Sequence, residues 1–426
     1  MTRRITLFLG CAALLAALLT GCGVDKPHSP TVVLTGTDYF ERYVAIGSSM
    51  TAGFMDGGLM LNGQLGSYPS LVARQMGHSV AVSSSATFTQ PYILSPGIGI
   101  TSTGSTSVTA GVLYWTGTGV ALLGTTPTAS VPSLAVMATL PAPYSNLAVP
   151  LATTSDVLNA LTSANSQVPN NRYFDLILRN PTFGNVTMLN QAIGRKPTLV
   201  TLWIGAEEIL TAATTGSPAL GVNLTPAAYF AGWLDQIIEQ IQVNVAQLSG
   251  TAPLIIAANL PVLDDIPYFV PKALVDAIAG ATVPTDESPV SYVRLPALSF
   301  LAVPDSLPLD GRWTLSTAEA GTVTGLIEAY NANIASVCDE RDVPVVDAQA
   351  LFATLHDEGL DGLTGGLYAL GEATTAFSLD GIHPNNRGQG LVANAFVEAI
   401  NEAAGTSLAG VDVGSLVWDP TYGTGD

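Results

Sequence analysis

Charged residues are scarce in this chain of 426 residues: they make up only 11%, and 14 basic side chains are outnumbered by 33 acidic ones. With a formal net charge of -19 there is no basic surface to neutralise phosphates, so no nucleic-acid partner is expected. Histidine is sparser still. His28, His78, His356 and His383 are the only imidazoles available for proton transfer near neutral pH. Beyond the first twenty-one residues there is no second long apolar run, and so no candidate membrane-spanning helix. What the chain does have is apolar content, 48% hydrophobic residues, which argues for a large buried core under a surface of Ser, Thr and Gly rather than for disorder.

Cysteine occurs at only 3 positions. The first lies in a leader, Met1 to Gly21, in which Arg3 and Arg4 precede an apolar run that closes on small residues, the pattern of a secretory signal. Its end, Leu19-Thr20-Gly21-Cys22, resembles the lipobox of bacterial lipoproteins, and the resemblance implies cleavage before Cys22 and acylation of that residue. Buried acyl chains contribute roughly 0.8 kcal/mol per methylene, and more than one chain makes a stable anchor. The expectation is a cell-envelope protein held on the membrane by lipid, on the outer membrane where the host has one, with residues 22–38 as a tether. Cys11 leaves with the leader and Cys22 is acylated, so Cys338 has no partner and no disulfide is expected. Cys338 falls in line with Ile327, Ile334 and Val337 at helical spacing, which predicts a buried core thiol.

The rest reads as one large decorated domain over residues 39–405 with a tail over 406–426. Tyr43-Val44-Ala45-Ile46 is a short strand that runs into the small-residue turn Gly47-Ser48-Ser49. Ser67-Tyr68-Pro69 opens a helix that Gly77 closes, and Val80-Ala81-Val82 is the candidate next strand. Residues 83–143 are rich in Ser, Thr, Gly and Pro and predict a β-rich insertion. The run Leu199 to Ile204 is apolar enough for a strand buried on both faces. Thr225-Pro226 opens a long helix with Phe230, Leu234, Ile237, Ile238, Ile241, Val245 and Leu248 on one stripe. Leu254 to Asn259 is the next strand, a second insertion spans 261–315, and Ser316 with Glu319 forms a capping box. Val343 to Asp347 is a last short strand before the helix that follows Pro384. Strands alternating with helices predict an α/β fold, a doubly wound parallel sheet whose ligands sit outside the carboxyl ends of its strands.

Ser49 stands just past the first strand, at that edge. A serine hydroxyl needs a hydrogen-bonded base, and His383 lies in Ser378-Leu379-Asp380-Gly381-Ile382-His383-Pro384, where Asp380 can hold the imidazole tautomer. Together these blocks resemble the GDSL, or SGNH, hydrolases, in which a Gly-Asp-Ser-Leu block near the start and a terminal Asp-x-x-His-Pro block bracket a flavodoxin-like domain. Ser67-Tyr68-Pro69, Asn146-Leu147-Ala148-Val149-Pro150 and Trp203-Ile204-Gly205 stand where that family has similar runs. The resemblance implies an esterase or lipase without metal or organic cofactor: Ser49 as nucleophile, His383 as base and then acid, and Asp380 as its orienter. The implied substrate is an ester-bearing small molecule, lipid or glycan.

Three positions depart from the family pattern. Ser48 replaces the aspartate before the nucleophile. Leu151 follows Pro150 where a glycine normally supplies an oxyanion N–H, and Glu207 stands where an asparagine amide normally supplies another. An ionised carboxylate there would oppose a developing oxyanion, so a lipoprotein that binds glycans or lipids without hydrolysing them is the competing expectation.

Overall fold

The computed structural model describes residues 34–95, 97–99, 112–122, 136–180, 182–302 and 307–422. The leader, Cys22, His28 and most of the tether lie outside these residues; of the tether's end, Gly36–Phe40 forms a short 3-10 turn.

The strands used below are β1 (Tyr43–Gly47), β2 (Leu199–Trp203), β3 (Leu254–Ala258), β4 (Phe269–Pro271), β5 (Val290–Arg294), β6 (Thr314–Ser316) and β7 (Val345–Val346). The helices are α1 (Ser49–Ala52), α2 (Tyr68–Gln75), α3 (Thr154–Asn159), α4 (Glu207–Thr215), α5 (Ala227–Ser249), α6 (Thr317–Glu340) and α7 (Asn386–Ala404).

The central sheet has the order β1-β2-β3-β7, all pairs parallel. On the free side of β1 an extended segment continues it: Ala45 N–H donates to Ser145 O, and the amides of Leu147 and Val149 donate to Ala45 O and Gly47 O. Counting that segment, strand order follows the doubly wound flavodoxin pattern, with the change of winding direction beside β1. The position next to β1 is therefore filled from residues 145–149. Val80-Ala81-Val82, the candidate next strand, forms no strand and Val82 is exposed. Its short apolar run carries no periodicity that separates strand from loop.

β1 and β2 are buried at every residue, as continuous apolar runs require between two helical layers. α5 turns Phe230, Leu234, Ile237, Ile238, Ile241 and Val245 inward. Leu248, expected on the same stripe, is half exposed because the last turn of α5 runs past the core. The Ser316–Glu319 capping box forms as the sequence predicts: Glu319 N–H donates to Ser316 Oγ and Ser316 N–H donates back to Glu319 Oε2. α6 then buries Ile327, Ile334, Val337 and the free thiol of Cys338, whose pKa burial pushes up to about 12. Ser67 occupies the N-cap of α2, but its hydroxyl donates to Gln64 O at 2.8 Å instead of capping.

Of the first insertion, the described part contributes a hairpin, Leu113–Trp115 against Val120–Leu122. The second insertion is a small antiparallel sheet of order β6-β5-β4 with a core of its own around Val270, Val275 and Val293. Its Arg294 is buried and donates to Ala213 O on α4 at 2.8 Å, fastening the insertion to the domain. The C-terminal segment is not a loose tail. Val411 and Val413 join the main core and Trp418 is buried further on.

Candidate active site

The turn that presents Ser49 is set by packing at Gly47. A Cβ there would lie 2.2 Å from Thr51 Oγ1 and 2.5 Å from Trp203 O, so only glycine lets β1 pass that close to β2 before α1 begins. Ser49 then opens α1 at the carboxyl edge of the sheet, 2% exposed. Gln389 on α7 donates to Met50 O at 3.1 Å and accepts from Tyr68 N–H at 2.8 Å, tying α1, α2 and α7 together.

His383 comes from the loop before α7, 334 residues away in sequence, and its Nε2 lies 2.9 Å from Ser49 Oγ. Its Nδ1 lies 3.0 Å from Asp380 Oδ2. Asp380 also accepts from the amides of Ile382 and His383 on Oδ1 and from Gly57 N–H on Oδ2, each at 2.9 Å. With the imidazole it thus accepts four hydrogen bonds, which fixes its orientation. Burial would raise the Asp380 pKa, but the His383 charge and these hydrogen bonds outweigh it and hold the carboxyl at about 2. Burial opposes the His383 imidazolium, yet Asp380, helped by Glu207 and Asp56, carries its pKa above the ordinary histidine value. Phe54 covers the imidazole, with ring centroids 4.8 Å apart. The other described histidines are engaged elsewhere, His78 with Phe40 O at 2.7 Å and His356 with Asp357.

The structure brings Glu207 to the same hydroxyl. Gly205, at φ 116, passes against Phe230, where a Cβ would lie 2.7 Å from the ring, and turns the chain so that Glu207 opens α4 pointing inward. Ser49 Oγ lies 3.0 Å from Glu207 Oε1, and Glu207 is 4% exposed. Burial raises its pKa, while His383 and Ser49 only partly pull it back. Leu151 lies beyond the extended segment at φ 62, in the left-handed region where a glycine would be at ease. Asn171 holds this turn by donating to Pro150 O at 2.8 Å.

An acid, an imidazole and a hydroxyl in one hydrogen-bonded line are the parts of a serine acyl-transfer site. The family model described as GDSL-like lipase/acylhydrolase matches residues 43–396, which contain all of them. This chain belongs to that family. Among solved structures, this GDSL-like protein is similar to an acetylxylan esterase from Geobacillus stearothermophilus (13% identity, 84% of this chain and 94% of that one, TM-score 0.36). It is also similar to an α/β hydrolase enzyme from the metagenome of Lake Arreo, Spain (14% identity, 84% and 93%, TM-score 0.35). A third is a lipase/acylhydrolase from Enterococcus faecalis (15% identity, 61% and 75%, TM-score 0.28). No curated protein gives a significant match.

Sequence reasoning missed three supports of the GDSL-like site: Asn171 under the Leu151 turn, Gln389 between helices, and Asp56. Asp56 sits in Met55-Asp56-Gly57-Gly58, which reads as an ordinary polar turn, yet it is fully buried. No local pattern marks it, because its partners come from the far end of the chain.

Proposed function

We propose that this protein is a serine esterase acting on carboxylic esters through an acyl-enzyme, exported and lipid-anchored at Cys22. The observation that carries the reading is the line Ser49 Oγ to His383 Nε2 at 2.9 Å and His383 Nδ1 to Asp380 Oδ2 at 3.0 Å. In it, Ser49 Oγ attacks the ester carbonyl carbon while His383 Nε2 takes the hydroxyl proton. Asp380 holds the tautomer with Nε2 free and supports the imidazolium. The oxyanion is received by the backbone N–H groups of Ser49 and Leu151 and by the carboxylic O–H of a neutral Glu207. His383 then returns its proton to the departing alkoxide, and water releases the acyl group by the reverse sequence of transfers. Glu207 suits the donor role because it is buried, touches Ser49 and has no ion-pair partner among the described residues.

The acyl side of the substrate is expected to be apolar. A small cleft of about 30 Å³ is lined by Met50, Ala206 and Ile382, the neighbours in sequence of Ser49, Glu207 and His383, together with carbon side chains such as Leu210, Leu260 and Val262. None of its lining residues is charged, which fits a small apolar acyl group better than a charged one.

A second reading, a lipoprotein that holds a lipid or glycan at this site uncleaved, is favoured by the same Ser49–Glu207 contact: an ionised Glu207 would accept the Ser49 hydroxyl's hydrogen bond, turning it from His383, and would oppose the oxyanion. Labelling with a serine-reactive fluorophosphonate, beside a Ser49→Ala control and a series of p-nitrophenyl esters, separates the two. Ser49-dependent labelling with ester turnover is expected; ester binding with neither label nor turnover would establish the second reading instead.

A further inference from the structure

Asp56 and Asp380 clasp one another's backbone. Asp56 Oδ1 accepts from Leu379 N–H at 2.7 Å, and Asp380 Oδ2 accepts from Gly57 N–H at 2.9 Å. Asp56 N–H donates to Ser378 Oγ at 2.9 Å. Three bonds thus join Asp56-Gly57 to Ser378-Leu379-Asp380, the stretch that leads directly into His383. The other carboxylate oxygen of Asp56 faces the C-terminal segment. It accepts from Trp418 Nε1 at 3.0 Å and from the Tyr422 hydroxyl. That segment is itself seated from several sides. Arg387 and Asn386 on α7 donate to Leu416 O and Val417 O, and Trp115 N–H from the hairpin of the first insertion donates to Pro420 O at 2.7 Å. Tyr368 stands edge-on to both Trp115 and Trp418, each with centroids 5.5 Å apart.

We propose that Asp56 is a positioning residue for the Asp380–His383 pair, and that Trp418 and Tyr422, by docking on Asp56, complete the active site from the C-terminal end of the chain. The proposal rests on the esterase reading for what is positioned. It accounts for a fully buried carboxylate that touches neither the nucleophile nor the base. All of its donors are neutral, so the arrangement adds a negative group beside Asp380 without a cation to compensate. A fold seeking stability alone gains little from that, since burying a charge without a cation is costly. Without the indole and phenol, one oxygen of Asp56 would be left unsatisfied in a dry site. The clasp would loosen, and with it the aim of His383 Nε2 at Ser49.

Electrostatics point the same way. Burial raises the Asp56 carboxyl to about 6, its hydrogen bonds holding it back from a larger shift, and Asp56 in turn favours the His383 imidazolium. The titratable groups facing the cluster are Asp380, Glu207 and His383 on the site's side, Tyr268 beside Asp380, and Tyr422 with Asp419 on the C-terminal side.

The test uses the full-length lipidated chain in detergent, carrying Tyr422→Phe, Trp418→Phe or Asp56→Asn. Two quantities are read: ester kinetics, and the titration of His383 by NMR of ring-labelled histidine, assigned with His383→Gln. Tyr422→Phe keeps its ring and Trp418→Phe puts a smaller aromatic ring in place of the indole, and both are expected to lower kcat on the order of 10- to 100-fold with KM little changed, as a misaimed base does. Asp56→Asn removes a charge that favours the imidazolium, so the His383 midpoint moves to lower pH. Unchanged kcat in both Tyr422→Phe and Trp418→Phe overturns the proposal, and so does an unmoved His383 midpoint in a folded Asp56→Asn. If the wild-type protein turns over no ester, the esterase reading fails and the His383 titration alone decides whether Asp56 acts on the pair.

Discussion

Replacing Glu207 by glutamine changes one proton and almost no volume, and it tests the least usual part of the site. Ser49 Oγ lies 3.0 Å from Glu207 Oε1. The oxyanion of a tetrahedral intermediate shares a carbon with Oγ, and so forms about 4 Å from an ionised carboxylate, a repulsion of roughly 4 kcal/mol at an effective dielectric near 20. That is about three powers of ten in rate. In the neutral form the same group donates instead, and losing one such donor costs about 10² to 10³. The hydroxyl has a single proton, so the competent line is Glu207 O–H to Ser49 Oγ, Ser49 O–H to His383 Nε2, and His383 Nδ1–H to Asp380. The form with Glu207 ionised and His383 protonated holds the same number of protons and is incompetent. The pair therefore titrates together. Activity of the wild type is expected to rise as one proton leaves and to fall again, by up to about three powers of ten, as the second leaves Glu207. Glu207→Gln is expected to keep the neutral-pH rate and the rising limb while losing the alkaline fall. Glu207→Ala is expected to lose about 10² to 10³ in kcat throughout. The assay is kcat against pH on a p-nitrophenyl ester for all three proteins. A gain of several powers of ten in Glu207→Gln at neutral pH, or an alkaline fall that survives the substitution, would refute a neutral Glu207.

Two further outcomes follow from backbone strain and from burial. Leu151 sits at φ 62, and the proposed role needs only its amide, so Leu151→Gly relieves strain worth roughly 1–2 kcal/mol and should leave kcat within a few-fold; a collapse of activity in a folded variant would mean that the leucine side chain, not the turn, matters. Glu208 is fully buried, its amide contact with Thr154 only partly offsetting burial, and its pKa is raised from 4.5 to about 7. A raised folded-state pKa means stability fully present below about 4.5 and lost as pH rises through about 7, on the order of 3 kcal/mol. Asp56 acts in the same direction between 3.8 and about 6, whereas Asp380, lowered to about 2, changes nothing above its unfolded value of 3.8. Thermal melts should therefore show Tm falling from about pH 5 to about pH 8, and a shallower fall in Glu208→Gln. A Tm that rises over that interval would show that Glu208 ionises freely in the fold.

The sequence made the parallel sheet legible through β1, β2 and β3, whose runs are apolar on both faces, and through α5 and α6, where periodicity and capping agree. Ser49 and His383 were readable because their chemistry demands neighbours of particular types: a small-residue turn on one side, an aspartate three residues away on the other. The segment beside β1 was not legible, since residues 145–149 join the sheet through scattered backbone bonds that leave no alternation in the sequence. Asp56 was invisible for a different reason. A buried carboxylate and a solvated turn carboxylate are written with the same letter, and what distinguishes them here is an indole and a phenol more than 360 residues further on.

Ser49 and His383 are separated by 334 residues, one at the first strand and the other before the last long helix. A site closed across such a span is among the last things the chain can form, because the loop must shut before the contact rewards it. A chain that ends before His383 holds the serine without its imidazole. On the esterase reading, ester turnover reports whether the two ends of the fold have met.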